Sequence, residues 1–158
     1  MDELYKDENP IMNTQQLRTY MLKDPYIRRY YGGVLAVNEL PLFVHKPTIF
    51  IVNTDPLPGK GTHWITLYMD KVCEHFDSSG HQPRKDFENY LIVQGPNYMY
   101  NNSRVQDFNT DTCGKFCLMY AYFRCRGFSF NDIMSMFKDS LALNEVVVES
   151  FYNITSNG

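Results

Sequence analysis

The hydrophobic positions along this chain change period several times, and each change marks an element. Leu17, Met21 and Leu22 share one side of a helix over residues 14–23, which predicts a first helix capped by Thr14 and stopped by Pro25. Tyr30-Tyr31-Gly32-Gly33-Val34 reads as a turn, and Pro41 and Pro47 bracket a loop. Residues 48–53 (TIFIVN) are almost continuously apolar, the pattern of a central strand buried on both faces. A Pro- and Gly-rich loop, 55–61, leads to a second strand over 63–69 (HWITLYM). A two-residue turn at Asp70-Lys71 returns the chain as a third strand, 72–77, ended by Ser78-Ser79-Gly80. Residues 86–93 fit a helix and 101–106 (NNSRVQ) a short strand. Residues 113–126 (CGKFCLMYAYFRCR) are apolar on most sides, as befits a helix in the centre of a protein, and Gly127 ends it. Ser129 and Asp132 have capping-box spacing for a helix over 130–137. Asn144 is placed to cap a last helix carrying Val147, Val148 and Phe151. The sum is α+β: a small mixed β-sheet packed by helices, with a buried central helix that begins at Cys113.

Composition narrows this picture. The chain has 158 residues, 44% hydrophobic and 21% charged, with no repeats or linkers, so residues 12–158 are read as one domain. Residues 1–11 form an N-terminal extension, disordered or a fusion scar. Their first six residues, MDELYK, match the tail of green fluorescent proteins, and Met12 makes a natural alternative start. Fifteen basic against 18 acidic residues give a net charge of −3, which argues against nucleic acid as the main ligand. No apolar run approaches the roughly 20 residues of a membrane span, and no signal-peptide pattern is present. The four cysteines are therefore expected to stay reduced in an intracellular compartment.

Four residues in this frame suit acyl-transfer chemistry. Cys113 follows a polar loop, 109–112, and opens the buried helix, where unpaired N–H groups and the helix dipole favour the nucleophilic thiolate. The plainer reading is a small buried hydrophobe. Gly114, lacking a side chain, leaves room for a substrate backbone. His63 opens a strand beside Trp64, where catalytic groups are often mounted, though His45, His75 and His81 compete for the role. Asp77 returns to the same sheet edge and can hold an imidazole in one tautomer. The two-residue turn sets Trp64, not His63, opposite Asp77, so a bulge or strand-end twist is required to join the pair. An Asx-type cap before Ser78-Ser79-Gly80 is the alternative for Asp77. Gln106 can donate its amide to an oxyanion, with the Cys113 N–H as second donor; taken alone it is a solvent-facing strand residue. Cys113 and Cys117, four apart on one helix, lack the second pair of a structural zinc site, so neither metal nor cofactor is expected.

In order, Gly61-Thr62-His63-Trp64, Phe76-Asp77-Ser78-Ser79-Gly80, Val105-Gln106 and Cys113-Gly114-Lys115-Phe116-Cys117 resemble the adenovirus-type endopeptidases (adenain). The members from Polinton or Maverick elements and related viruses are the most similar. The resemblance runs from Met12 to Phe151 and takes in Arg124-Cys125-Arg126-Gly127 and Asn131-Asp132-Ile133 followed by Phe137. It implies the adenain/ubiquitin-like-protease type of cysteine peptidase fold, with His63 as general base, Asp77 as its acid, Gln106 as oxyanion donor and Cys113 as nucleophile. It further implies cleavage at Gly-Gly or Gly-X bonds in a narrow cleft beside Trp64 and Gly114. The substrates would be precursor proteins of a virus-like particle, cut by a monomer with no membrane partner in the host nucleus, the cytoplasm or the virion.

Some features depart from the family. The acid is Asp where adenovirus enzymes have Glu. The sister group of ubiquitin-like-protein peptidases also uses Asp, but its Gln-to-Cys spacing is typically one residue shorter than that between Gln106 and Cys113. Adenovirus enzymes are basic, stimulated by DNA, and activated by a peptide that disulfide-bonds to a cysteine upstream of the Gln. The matching stretch around Gly95 has no cysteine, Cys73 being the candidate further upstream, and this chain is acidic overall. Neither DNA nor an activating peptide is therefore expected to be required. Two other readings are a deconjugase of ubiquitin-like proteins and a non-catalytic peptide-binding module; all four catalytic residue types are present, which offers the second no support.

Overall fold

The computed structural model describes residues 11–55 and 63–157. The segment MDELYK, most of the Pro/Gly loop, and Gly61-Thr62 of the histidine motif lie outside the described residues. Along the chain run α1 (Thr14–Lys23), α2 (Pro25–Arg28), β1 (Tyr31–Ala36), β2 (Thr48–Asn53), β3 (Trp64–Met69), β4 (Cys73–Phe76), α3 (Lys85–Gln94), β5 (Tyr98–Tyr100), α4 (Cys113–Arg124), α5 (Phe130–Met134) and α6 (Leu141–Ser156). The five strands form one sheet in the order β1-β2-β3-β4-β5, with outer pairs β1/β2 and β4/β5 parallel and the inner pairs antiparallel. The architecture is the expected α+β one, with a mixed sheet and α4 at its centre.

Side-chain alternation divides the sheet into two buried faces. Ile49, Ile51, Trp64 and Tyr68 pack with Leu17, Met21, Cys117 and Leu118, so α1 and α4 cover one face. Phe50, Val52, Ile65, Leu67 and Met69 pack with Phe87 and Leu91 of α3 on the other. A third cluster joins the far side of α4, through Phe116, Met119 and Tyr120, to Ile133 of α5 and Val148 of α6. Residues 113–121 of α4 are all buried, which explains a helix with almost no polar stripe.

Several local expectations are corrected. Asn13, not Thr14, caps α1, exchanging hydrogen bonds with Gln16 in a capping box. Pro25 does not only stop α1; it opens α2, whose N-terminus is capped by the Asp24 carboxylate. Tyr31 to Val34, expected in a turn, belong to β1, and Tyr30 alone of the stretch is in a turn. A Cβ on Gly32 would lie 2.4 Å from Thr48 Cγ2 and 2.5 Å from the Phe50 ring, so glycine serves close packing of β1 on β2. Residues 101–106 lie outside any strand, because the N–H groups of Val105 and Gln106 both turn to the Ser78 carbonyl. The helix expected over 130–137 ends at Met134, and Ser140 rather than Asn144 caps α6. Asn144 is buried inside α6 and holds Lys138 and the Val105 carbonyl.

Glu74 of β4, 5% exposed at its side chain, faces α4. There it takes paired hydrogen bonds from Arg124 and one from the Tyr120 hydroxyl. Arg124 also lies 4.1 Å over the Tyr68 ring. Removing one partner strands a buried charge. We expect Arg124→Ala to destabilise the fold by about 3–5 kcal/mol, read as a lowered midpoint in urea unfolding. An unchanged midpoint would show that the pair does not tie α4 to the sheet.

Candidate active site

The β3–β4 register brings the first two candidates together. Thr66 pairs with Phe76, Leu67 with His75 and Tyr68 with Glu74. Three residues, Asp70 to Val72, connect the strands, one more than the expected two-residue turn. That single residue shifts the pairing so that Ile65, not Trp64, stands across from Asp77. His63 and Asp77 then share a face as diagonal neighbours, and no bulge is required. His63 Nε2 donates to Asp77 Oδ1 at 2.7 Å. Oδ1 also accepts from the Ser79 N–H at 2.8 Å, so the carboxylate is at once an Asx turn and the imidazole's partner.

Asn101 fixes the acid's backbone. Its Oδ1 accepts from the Asp77 N–H at 2.9 Å and its Nδ2 donates to the Asp77 carbonyl at 2.6 Å. Asn101 is 4% exposed. Burial of Asp77 works against its charge, but hydrogen bonds from His63 and the Ser79 amide outweigh this and hold the carboxyl below its ordinary range. Burial likewise opposes a charge on His63. Hydrogen bonds with Asp77 and with the Cys113 side chain overcome it and raise the imidazole from 6.5 to about 9. With Nε2 committed to Asp77, Nδ1 is the nitrogen left for another partner.

Cys113 is the first residue of α4 and 2% exposed. Thr112, at the N-cap position, gives the helix no side-chain cap because its hydroxyl donates to Glu145 at 2.7 Å. One turn further along α6, Glu149 pairs with Lys115 at 2.8 Å. The two glutamates pin the first turn of α4 from behind, and its N–H groups are not consumed by a side-chain cap on Thr112. Gln106 lies beside this turn. Its Oε1 accepts from Ser78 Oγ at 2.6 Å, and its Nε2 donates to Thr110 O at 2.9 Å and Thr110 Oγ1 at 3.1 Å. Both ends of the Gln106 amide are thus engaged, and an incoming acceptor would take the place of a Thr110 oxygen.

Trp64 and Gly114 occupy the core beside Cys113. Trp64 is 4% exposed and its indole N–H donates to the Met12 carbonyl at 2.8 Å. The space a Gly114 side chain would fill is met by Met12 Cβ at 3.1 Å and Leu17 Cδ2 at 3.4 Å. The room left by this glycine thus receives the chain's own N-terminal segment, where the sequence suggested a substrate backbone. Sequence reasoning missed Asn101, Ser78 and Thr110. Ser78 was visible as the neighbour of Asp77 but read as a turn residue. His75 was named as a rival to His63; it is 2% exposed, and burial lowers it to about 4. His81, the other nearby rival, lies with its ring 4.0 Å from Asp77 Oδ2 and largely in solvent. Among the described residues no cluster of three or more His, Cys, Asp or Glu is placed to hold a metal.

No protein-family model and no curated protein sequence matches the chain. Solved structures do. The African swine fever virus (ASFV) pS273R protease aligns with TM-score 0.58 and 14% identity over 80% of this chain, which spans 61% of that protein's length. The SUMO protease Ulp1 aligns with TM-score 0.51 and 14% identity over 82% of this chain and 75% of the other. ChlaDub1 from Chlamydia trachomatis aligns with TM-score 0.52 and 13% identity over 94% and 78%. The fold is that of the Ulp1- and adenain-like cysteine proteases.

The His63–Asp77 pair has a sign that titration can read. A raised imidazole contributes stability that is complete below its ordinary pKa of 6.5 and is lost as pH rises through about 9. We expect the His63 ring protons to titrate near 9 by NMR, and Asp77→Asn to bring the transition down toward or below 6.5. A wild-type ring that titrates at its ordinary value would remove the charge pairing.

Proposed function

We propose that the chain is a cysteine endopeptidase in which Cys113 attacks, His63 carries the proton, Asp77 orients His63 and Gln106 steadies the oxyanion. The observation that carries this reading is the ring of His63, held by Asp77 at 2.7 Å and raised in pKa by Asp77 and by the Cys113 side chain at the start of α4. The fold shared with cysteine proteases supports it.

The chemistry follows from the arrangement. The thiol proton passes to His63, and the thiolate sulfur forms a bond to the scissile carbonyl carbon. The carbonyl electrons move onto oxygen, to which the Gln106 amide, turned from Thr110, and the Cys113 N–H donate. As the carbon–nitrogen bond breaks, the imidazolium gives its proton to the leaving amine. Water then adds to the thioester, losing a proton to His63. The carbon–sulfur bond breaks and the thiol is restored. Its raised pKa lets His63 hold the thiol's proton across the neutral range, so the acid required for amine departure is in place.

Cys113 is 2% exposed, so a substrate reaches it only where its backbone is unencumbered, which favours glycine beside the cut. This agrees with the Gly-Gly or Gly-X bonds implied by the resemblance. The substrates we assign are precursor proteins of a virus or virus-like element. The reaction runs in a reducing nuclear or cytoplasmic setting, or within the virion, and needs no cofactor, DNA or disulfide-linked peptide. The fold likeness to Ulp1 favours one second reading, a deconjugase of ubiquitin-like proteins.

Cys113→Ala should abolish cleavage of quenched Gly-Gly peptides while leaving the circular dichroism spectrum intact; residual turnover would strip Cys113 of its role. Gln106→Ala should lower kcat about 10²–10³-fold, and a loss confined to KM would count against an oxyanion contact. Turnover should fall as pH rises through about 9, with Asp77→Asn shifting that limb downward. Fast labelling of Cys113 by a ubiquitin-like suicide probe, with slow cleavage of short peptides, would favour the deconjugase.

A further inference from the structure

A cavity of about 240 Å³ borders the His63–Asp77 pair on the α3 side of the sheet. Thr54, Ile65, His75, Arg84 and Phe87 line it beside the pair. The His75 ring is 2% exposed, and its Nδ1 has no hydrogen-bond partner among the described residues. Buried polar atoms in proteins are nearly always partnered, by the protein or by what the site receives. Phe87 meets the ring edge-on, with centroids 5.6 Å apart. Arg84 donates to the Thr54 carbonyl at 2.6 Å and to Asp86 at 2.9 Å, bridging the end of β2 to the start of α3 at the rim.

The chemistry of the cut decides what comes here. His63 delivers a proton to the departing amine, so the residue on that side of the scissile bond must lie against the imidazole. The cavity shares that imidazole. We propose that it is the subsite for the residue on the leaving side of the cut, and that it selects a neutral hydrogen-bonding side chain, such as Asn, Thr or Ser, through His75. The inference rests on the peptidase reading of the site and deepens it.

Charge and hydrogen bonding give the selection its form. The Asp77 carboxylate opposes an anionic side chain, while Arg84 and the His63 imidazolium oppose a cationic one. An apolar side chain of similar size leaves His75 Nδ1 unpartnered. A hydroxyl or amide can give or take a hydrogen bond, and His75, held neutral by burial, can do either in return.

The test is a set of quenched Gly-Gly-X peptides with X as Asn, Thr, Leu, Lys or Asp, cleaved by the whole chain. We expect kcat/KM for Asn and Thr to exceed that for Leu by about tenfold or more, with Lys and Asp poorer still. His75→Phe keeps a ring but removes its nitrogens, and should bring the Asn-to-Leu ratio toward one. A flat profile in an active wild type overturns the subsite, and a ratio that survives His75→Phe overturns the role of His75. If that variant does not fold, the wild-type ratios decide. A chain that takes a Gly-Gly thiol label on Cys113 yet cleaves none of the five also overturns the subsite. A chain that neither cleaves nor takes the label removes the peptidase reading, and this inference with it.

Discussion

The pairing of β3 with β4 determines which side chains share a face at the end of the sheet. With three residues in the turn, His63, Ile65 and Leu67 fall on one side, in line with His75 and Asp77. With two, His63 would point through the sheet, away from Asp77. The imidazole reaches Cys113 only because it stands just before the first residue of β3. There it can lie over the sheet's end toward the first turn of α4, whose body packs against the opposite face. Each later feature of the site depends on that placement.

A second constraint is a short span of chain, residues 101–106, laid against the end of β4. Asn101 holds the backbone of Asp77, and Ser78 holds both the backbone and the side chain of Gln106. Two neighbouring residues, Asp77 and Ser78, thereby hold His63 and Gln106, the groups to which the proposed mechanism gives the proton and the oxyanion. Their spacing follows from two adjacent peptide units, which is about as rigid a ruler as a polypeptide provides.

The sequence made some of this legible and hid the rest for definite reasons. The strands β2 and β3, the buried α4 and the Ser129 capping box follow from apolar runs and cap spacing, and the structure has them close to where they are read. The β3–β4 register was hidden because all six residues of β3 and all four of β4 are buried. A strand with two apolar faces carries no alternation, so nothing in the pattern sets its phase. Gly32 and Gly33 read as a turn because glycine's use against a neighbouring strand looks the same in sequence as its use in a bend. Of the four residues quoted for the site, His63 pairs with Asp77, Gln106 is tied to Ser78 and Thr110, and Cys113 opens α4. Their supports Asn101 and Thr110 sit in loops with no periodic signal. Trp64 and Gly114 were expected to line a cleft and instead receive Met12, 52 positions from the first and 102 from the second, a contact that no local pattern records.

That contact has a consequence for the segment before α1. Met12 fills the hollow over Gly114 and its carbonyl accepts the indole N–H of Trp64, in the same buried cluster as Cys113. A substitution at Met12 therefore acts on the packing around that sulfur, not on a distant tail.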